Sequence, residues 1–419
     1  MKSRRGSRGM TKAERIKNTL QETKERRKAQ RPVVYRLKLQ NLSAKEELFK
    51  RAFAEAKWLY NWLVSNTERL SIPANKISTV EVKVGKAFEE RRLTILGSQV
   101  KQEIADRLKE NLRALRKQKK NGHKVGALKH KRFVNSIPLK QYGVTYKLDF
   151  TQNRIRIQKL GSFRILGLQQ IPENAEIANG VLVRKPSGYY LHITCHLPKE
   201  HFRRKPIREA VGIDFGIDTK IVLSNGLKID FELHETHRLK KIQRKLAKAK
   251  KGSRNREKLL FLLRKEYEKI SNRRRDAQNK VIAFLKLYRT VVFQDDFIKG
   301  WEALFGRQVH SSGLGGVRSR LRASLEAPVT VGRFEPTSQE CFACGSKHEL
   351  SLSDRTVECS CGWKCDRDVN AALVILRKGL GLSPDQAVGL GRPELKPLER
   401  EAAARVLGSN PYICVSFPR

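Results

Sequence analysis

The chain has no run of about 18 apolar residues and no signal-peptide apolar segment near its start. It is therefore expected to be soluble and intracellular, with no membrane partner. Acidic residues are scarce: 42 Asp and Glu stand against 88 Lys and Arg, a formal charge of +46 spread along most of the 419 residues. Self-repulsion of that size calls for a polyanion, and phosphate-rich nucleic acid is the polyanion it fits. Cysteine is sparse as well. Five of seven (Cys341, Cys344, Cys359, Cys361, Cys365) fall in one short stretch, while Cys195 and Cys414 stand alone; this pattern points to a metal site in a reducing compartment and away from a disulfide framework. There is no HExxH and no nucleophile elbow, and the GLGG at 313–316 lacks the Lys-Ser/Thr of a phosphate-binding loop, so it reads as a flexible connection.

The patterns that are present divide the chain. Residues 1–31 are basic and poor in large apolar side chains, and read as a disordered or RNA-ordered arm. Val33, Tyr35, Leu37 and Leu39 alternate as in a half-buried strand. Ser43 and Glu46 make a capping-box pattern ahead of Phe49, Phe53, Ala56, Tyr60 and Leu63 at helical spacing, and Ile104, Leu108, Leu112 and Leu115 mark a second helix before a basic stretch at 116–132. From 135 to 205 strands dominate, including two joined by Pro-Ser-Gly within 181–197, and these are expected to pair with the strand at 33–39. VGIDFG (211–216) follows, then a hairpin with its Asn-Gly turn, two charged helices over 236–287, strands at 290–296 and 329–334, and a helix over 366–380. The tail from 383 is expected to be poorly ordered. Basic residues on 101–132 and 238–275 offer phosphate contacts, with Tyr142 and Tyr146 as candidate stacking platforms; Trp58 and Tyr60 are read as core.

Two constellations carry chemistry. Cys341 and Cys344 form a CxxCG knuckle, and Cys359 and Cys361 a tighter CxCG pair fourteen residues on. Four thiolates suit a tetrahedral Zn²⁺, with every position filled by protein, so the ion would be structural; Cys365 is an alternative fourth ligand. The second constellation is acidic. Asp214 ends an apolar strand beside glycines, Asp368 opens a helix, and a third acid lies on the strand at 290–296. Carboxylates so gathered can hold Mg²⁺ for phosphodiester hydrolysis.

VGIDFG, VVFQDDFIKGW, PTSQECFACG and CGWKCDRDVNAA, in that order and spacing, resemble the RuvC motifs and zinc ribbon of TnpB and the related type V CRISPR effectors. EAKWLYNWL (55–63) and SIPLKQYGVTY (136–146) are similar to the TnpB branch carried by serine-recombinase insertion sequences. The resemblance implies an α/β multi-domain fold: an RNase H-like (RuvC) nuclease core over 206–335 and 366–382 interrupted by a zinc ribbon at 336–365, and an N-terminal β-barrel wedge domain over 32–45 and 135–205 enclosing a helical recognition insertion at 46–134. Residues 383–419 would be a flexible tail. It also implies an RNA-guided DNA endonuclease of a prokaryotic cytoplasm, nucleoid-associated, acting as a monomer with a guide RNA from the element's end on double-stranded DNA bearing a short flanking motif. The family's first and third acids map to Asp214 and Asp368. Many members have Glu where this chain has Gln294, whose neutral amide cannot hold Mg²⁺. The nearer branch places its acid two positions later, and alternation puts Asp296 on the side of Gln294 and Asp295 on the other. Asp296 is thus the expected second ligand. The alternative is an RNA-guided DNA-binding protein that does not cut.

Overall fold

The computed structural model describes residues 11–202, 205–231, 236–306, 309, 312–325, 328–351, 353–387, 390 and 393–418. The chain forms two compact units, residues 1–203 and 204–419.

In the first unit the alternating segment forms β1 (Gln30–Gln40), and a hairpin of β2 (Thr79–Val84) and β3 (Ala87–Arg92) lies inside the helical stretch. The remaining strands are β4 (Ser136–Leu139), β5 (Tyr146–Asp149), β6 (Arg154–Ile157), β7 (Gly161–Leu166), β8 (Glu176–Lys185) and β9 (Gly188–Pro198). Seven of them make one antiparallel sheet in the order β4-β8-β9-β1-β7-β6-β5. β1 is central because its alternate residues Leu37 and Leu39 are buried while their neighbours face outward. Helix Glu46–Ser65 covers this core with Phe49, Phe53, Ala56, Leu59 and Leu63. Its buried Glu55 accepts from the backbone amides of Thr94, Ile95 and Leu96 and from Arg51 Nε, so a carboxylate fully removed from solvent is fully partnered. Helix Ser98–Lys120 packs Val100, Ile104 and Leu108 inward and leaves a basic far end.

Two expectations fail here. Residues 12–28 of the N-terminal arm are helical, started by a Thr11–Glu14 capping box and ended by Arg26, Arg27 and Lys28, charges that suit each helix end; residues 1–10 lie outside the described residues. Tyr146 is not a stacking platform: it is 1% exposed, and its hydroxyl donates to the Ala178 carbonyl.

The second unit is built on a six-stranded sheet from β10 (Arg208–Asp214), β11 (Ile221–Leu223), β12 (Lys228–Phe231), β13 (Tyr288–Gln294), β14 (Val329–Val331) and β17 (Ile413–Ser416). The small hairpin β15 (Thr356–Glu358) and β16 (Lys364–Asp366) stands apart. The sheet order is β14-β13-β10-β11-β12-β17, parallel across the first three strands and antiparallel beyond. Both faces are covered, which explains why β10 and β13 read as continuous apolar runs. Val211, Ile213, Val291 and Phe293 face a core shared with helices Arg254–Leu285, Leu314–Ser324 and Pro397–Val406. The opposite face, with Val222 and Val292, lies under helix Arg367–Gly379.

Gly212 sets how near that helix comes. A Cβ there would run into the Ala372 carbonyl and stand 2.8 Å from the Leu376 Cβ, so only glycine permits this packing.

The tail from 383 is not poorly ordered along its described part. Helix Pro397–Val406 buries Ala402 and Ala403, and β17 pairs with β12, closing an otherwise free sheet edge. The glycine stretch at 313–316 is likewise no loose connection: Gly313, at φ +69°, caps a helix beginning at Leu314.

Candidate acidic site and cysteine cluster

β10 ends at Asp214, and residues two apart on a strand share a face. Asp214 therefore lies on the face of Gly212, under helix Arg367–Gly379, and the close approach at Gly212 carries the first turn of that helix, with Asp368, toward it. The Asp366 carboxylate caps the helix by accepting from the amides of Asp368 and Val369, and Lys228 holds it at 2.7 Å. Asp214, half-buried, has its carboxyl pushed up to about 7, first by burial, then by the charges of Asp368 and Asp296, with Arg367 opposing. All three expected acids thus act on one another.

Their convergence is looser than that of the cysteines. Among the described residues, Cys341, Cys344, Cys359 and Cys361 are the one group of three or more possible ligands whose donor atoms all lie within 4.8 Å of one another; the three acids do not close to that distance. Hard carboxylate oxygens on a partly buried surface, mutually repelling, nonetheless form a donor set that a divalent cation would relieve.

β13 stops at Gln294, two residues short of Asp296, because its partner β14 ends at Val331. The Gln294 side chain is 7% exposed and committed: its amide nitrogen donates to the carbonyls of Gly332 (2.9 Å) and Glu335 (2.8 Å), and its oxygen accepts from the Thr337 hydroxyl at 2.8 Å. Gln294 ties the segment following β14 to the end of β13. Asp295 pairs with Arg318, Arg322 and Arg333, and the Arg322 hydrogen bond chiefly holds its carboxyl below the ordinary range. The Asp296 carbonyl accepts from Arg318, while burial pushes the Asp296 carboxyl up to about 6, against the pull of Arg318. These arginines escaped sequence reasoning, since nothing in their local spacing marks a partner more than 20 residues away.

In the cysteine cluster the Cys341–Cys361 and Cys344–Cys359 sulfurs are 3.8 and 3.5 Å apart. Tetrahedral Zn²⁺ with bonds near 2.3 Å needs sulfurs about 3.8 Å apart. Four soft thiolates at that spacing could hold zinc. Cys365 stands outside the group, packed in an apolar cluster with Val222, Phe342 and Val369, where burial raises its thiol to about 11. Two buried residues absent from the sequence reading bind this segment to the 367–379 helix. Asn370 accepts from the Phe342 amide and Trp363 Nε1 and donates to the Glu340 carbonyl, and Arg377 reaches the Glu340 carboxylate and the Cys341 and Phe342 carbonyls. One helix therefore positions both Asp368 and the cysteine cluster.

Residues 192–291, which include Asp214, match the family described as "Probable transposase" of the OrfB, IS605 type; residues 326–375, which include Asp368 and the cysteines, match the family described as "Cas12f1-like, TNB domain". Asp296 falls between the two matches. By these matches the chain is a TnpB-type protein. A curated relative from Streptomyces pristinaespiralis, named "Putative RNA-guided DNA endonuclease", is 32% identical over 226 residues, 51% of this chain and 56% of the relative; the chain spans little more than half that relative's length. A solved structure of a Cas12f1–sgRNA–target DNA complex covers 80% of this chain and 82% of its own at 14% identity, with a TM-score of 0.44. No helix among the described residues is long and apolar enough to cross a membrane.

Proposed function

We propose that this protein is an RNA-guided DNA endonuclease of the TnpB type, associated with an insertion sequence, in which Asp214, Asp296 and Asp368 form a RuvC-type site. The observation that carries this reading is the placement of Asp368 against Asp214 through Gly212, with the Asp214 carboxyl raised by both other acids. Divalent magnesium held there would activate water and stabilise the leaving oxygen of a phosphodiester. Asp214 and Asp368 come from a strand end and a helix start fixed by packing, whereas Asp296 lies in a short connection steadied by Arg318 at its carbonyl. The cysteine cluster, as a zinc ribbon over 336–365, is a rigid module for target nucleic acid. Residues 206–335 and 366–382 are the nuclease domain, and the seven-stranded sheet with its helices forms the wedge and recognition parts that grip guide RNA and target DNA. The charge of +46 supports both partners. We place the protein as a monomer in a prokaryotic cytoplasm, at the nucleoid.

Two observations favour a second reading, guided binding without scission: Gln294 is engaged in structural hydrogen bonds, and the acids stand further apart than the cysteines. One experiment separates the two. RNA copurifying with the protein is sequenced, and matched double-stranded DNA with a randomised flank is supplied with Mg²⁺. Scission abolished by Asp214→Asn, Asp296→Asn and Asp368→Asn supports the nuclease; retention of matched DNA without scission supports the alternative.

A further inference from the structure

Beside Asp296 lies a groove of about 620 Å³, walled on one side by Asp296, Phe297 and Ile298 and on the other by helix Leu314–Ser324. Gly315, Ser319 and Ala323 recur every four residues along that helix and keep its facing stripe low, and Arg318 and Arg322 stand next to them. Three guanidinium groups, those of Arg318, Arg322 and Arg333, surround the single carboxylate of Asp295, so the rim retains positive charge beyond what Asp295 neutralises. The ring of Phe297 is 56% exposed at the groove's edge, with the Arg333 guanidinium 5.6 Å from its centre. Phe334, next in sequence to Arg333, is 94% exposed. Apolar burial explains neither ring.

Cations that bind phosphate, an open aromatic face that stacks a base, and a carboxylate at the end of the groove together match one ligand chemistry: an unpaired nucleic-acid strand. A duplex keeps its bases stacked inside and would leave Phe297 without a partner. We propose that this groove delivers single-stranded DNA to the acidic site, with Arg318 and Arg322 holding a phosphate and Phe297 stacking a base next to it. This rests on the nuclease reading for the strand's fate but not for its binding.

The test uses the full-length protein with its copurifying RNA, kept free of divalent cations, and a short oligothymidylate carrying 5-iododeoxyuridine. After irradiation, cross-linked peptides are mapped by mass spectrometry. The expected result is an adduct at Phe297 or Phe334, with the Phe297 adduct lost in Phe297→Ala and kept in Phe297→Trp. Where the protein cuts, Phe297→Ala should raise KM for single strands by roughly tenfold with kcat little changed, and Phe297→Trp should restore it. Adducts confined to peptides outside 295–298, 315–323 and 333–334 overturn the proposal, as does cross-linking of the matching 5-iodouridine RNA in the groove without any from DNA. Groove adducts in a protein that never cuts would leave the groove standing and remove the nuclease reading. Cutting with no groove adduct and an unaffected Phe297→Ala would do the reverse.

Discussion

Replacing Gln294 by Glu looks like the restoration of a metal ligand, and the structure predicts damage instead. The amide nitrogen of Gln294 is a donor to two carbonyls, of Gly332 and Glu335, in a position 7% exposed. An ionised carboxylate has no proton to donate. Both carbonyls lose their partner and face a negative charge, at about 1–3 kcal/mol for each group left unsatisfied, so the variant should lose roughly 2–6 kcal/mol. For a unit of this size that corresponds to a Tm lower by roughly 2–4 °C for each kcal/mol. The loss depends on pH with a definite sign. Burial and the two carbonyls raise the folded pKa of the new carboxyl above its unfolded value, so stability is recovered as pH falls below that folded pKa and lost as pH rises through it. Thermal denaturation of wild type and Gln294→Glu from neutral to mildly acidic buffer measures this directly. A variant that melts with wild type at neutral pH and cuts matched DNA faster would refute the argument, because Gln294 would then be a ligand position left vacant and not a structural tie.

Gly212→Ala should push the 367–379 helix off the sheet, costing about 1–3 kcal/mol and separating Asp368 from Asp214; denaturation together with metal titration would register both effects. The metal-free protein should lose stability as pH rises through about 7, because the Asp214 carboxyl titrates there in the folded state and far lower when unfolded. Cation uptake at neutral pH should accordingly release protons, which calorimetry in buffers of different ionisation enthalpy detects. Zinc analysis should find one ion per chain, lost in Cys344→Ser and Cys359→Ser and retained in Cys365→Ala; loss in the last would make Cys365 a ligand. Glu55→Ala should cost about 3 kcal/mol or more, since it orphans the amides of Thr94, Ile95 and Leu96. In the wild type, burial of Glu55 is outweighed by those amides and Arg51, which lower its pKa; its contribution is present above the unfolded value and disappears as pH falls through the folded one.

Motifs whose meaning is local were legible in the sequence. The CxxCG and CxCG pairs brought the right four sulfurs together because a knuckle is a matter of spacing and a turn. The alternation at 33–39 and the apolar runs at 211–214 and 290–294 identified strands because burial on one or both faces leaves a direct mark on composition. Charge announced a polyanion for the same reason. The fold's tail was misread because Pro, Gly and mixed charge describe a segment's own preferences, whereas β17 is ordered by the free edge of β12. The 313–316 glycines were misread in the same way: Gly313 has a left-handed backbone that starts a helix, and Val317 and Leu321 anchor that helix to a core the local sequence cannot display.

The acidic site divides along the same line. Residue types and order alone named Asp214, Asp296 and Asp368 and passed over Gln294. Only the tertiary structure decided that Gly212 brings Asp368 against Asp214, that Gln294 is occupied as a tie between β13 and the segment after β14, and that Asp295 is held by three arginines on distant elements. A strand or a cysteine knuckle is specified by neighbours in sequence, while a carboxylate's surroundings are specified by whatever the packed sheet and helices place beside it.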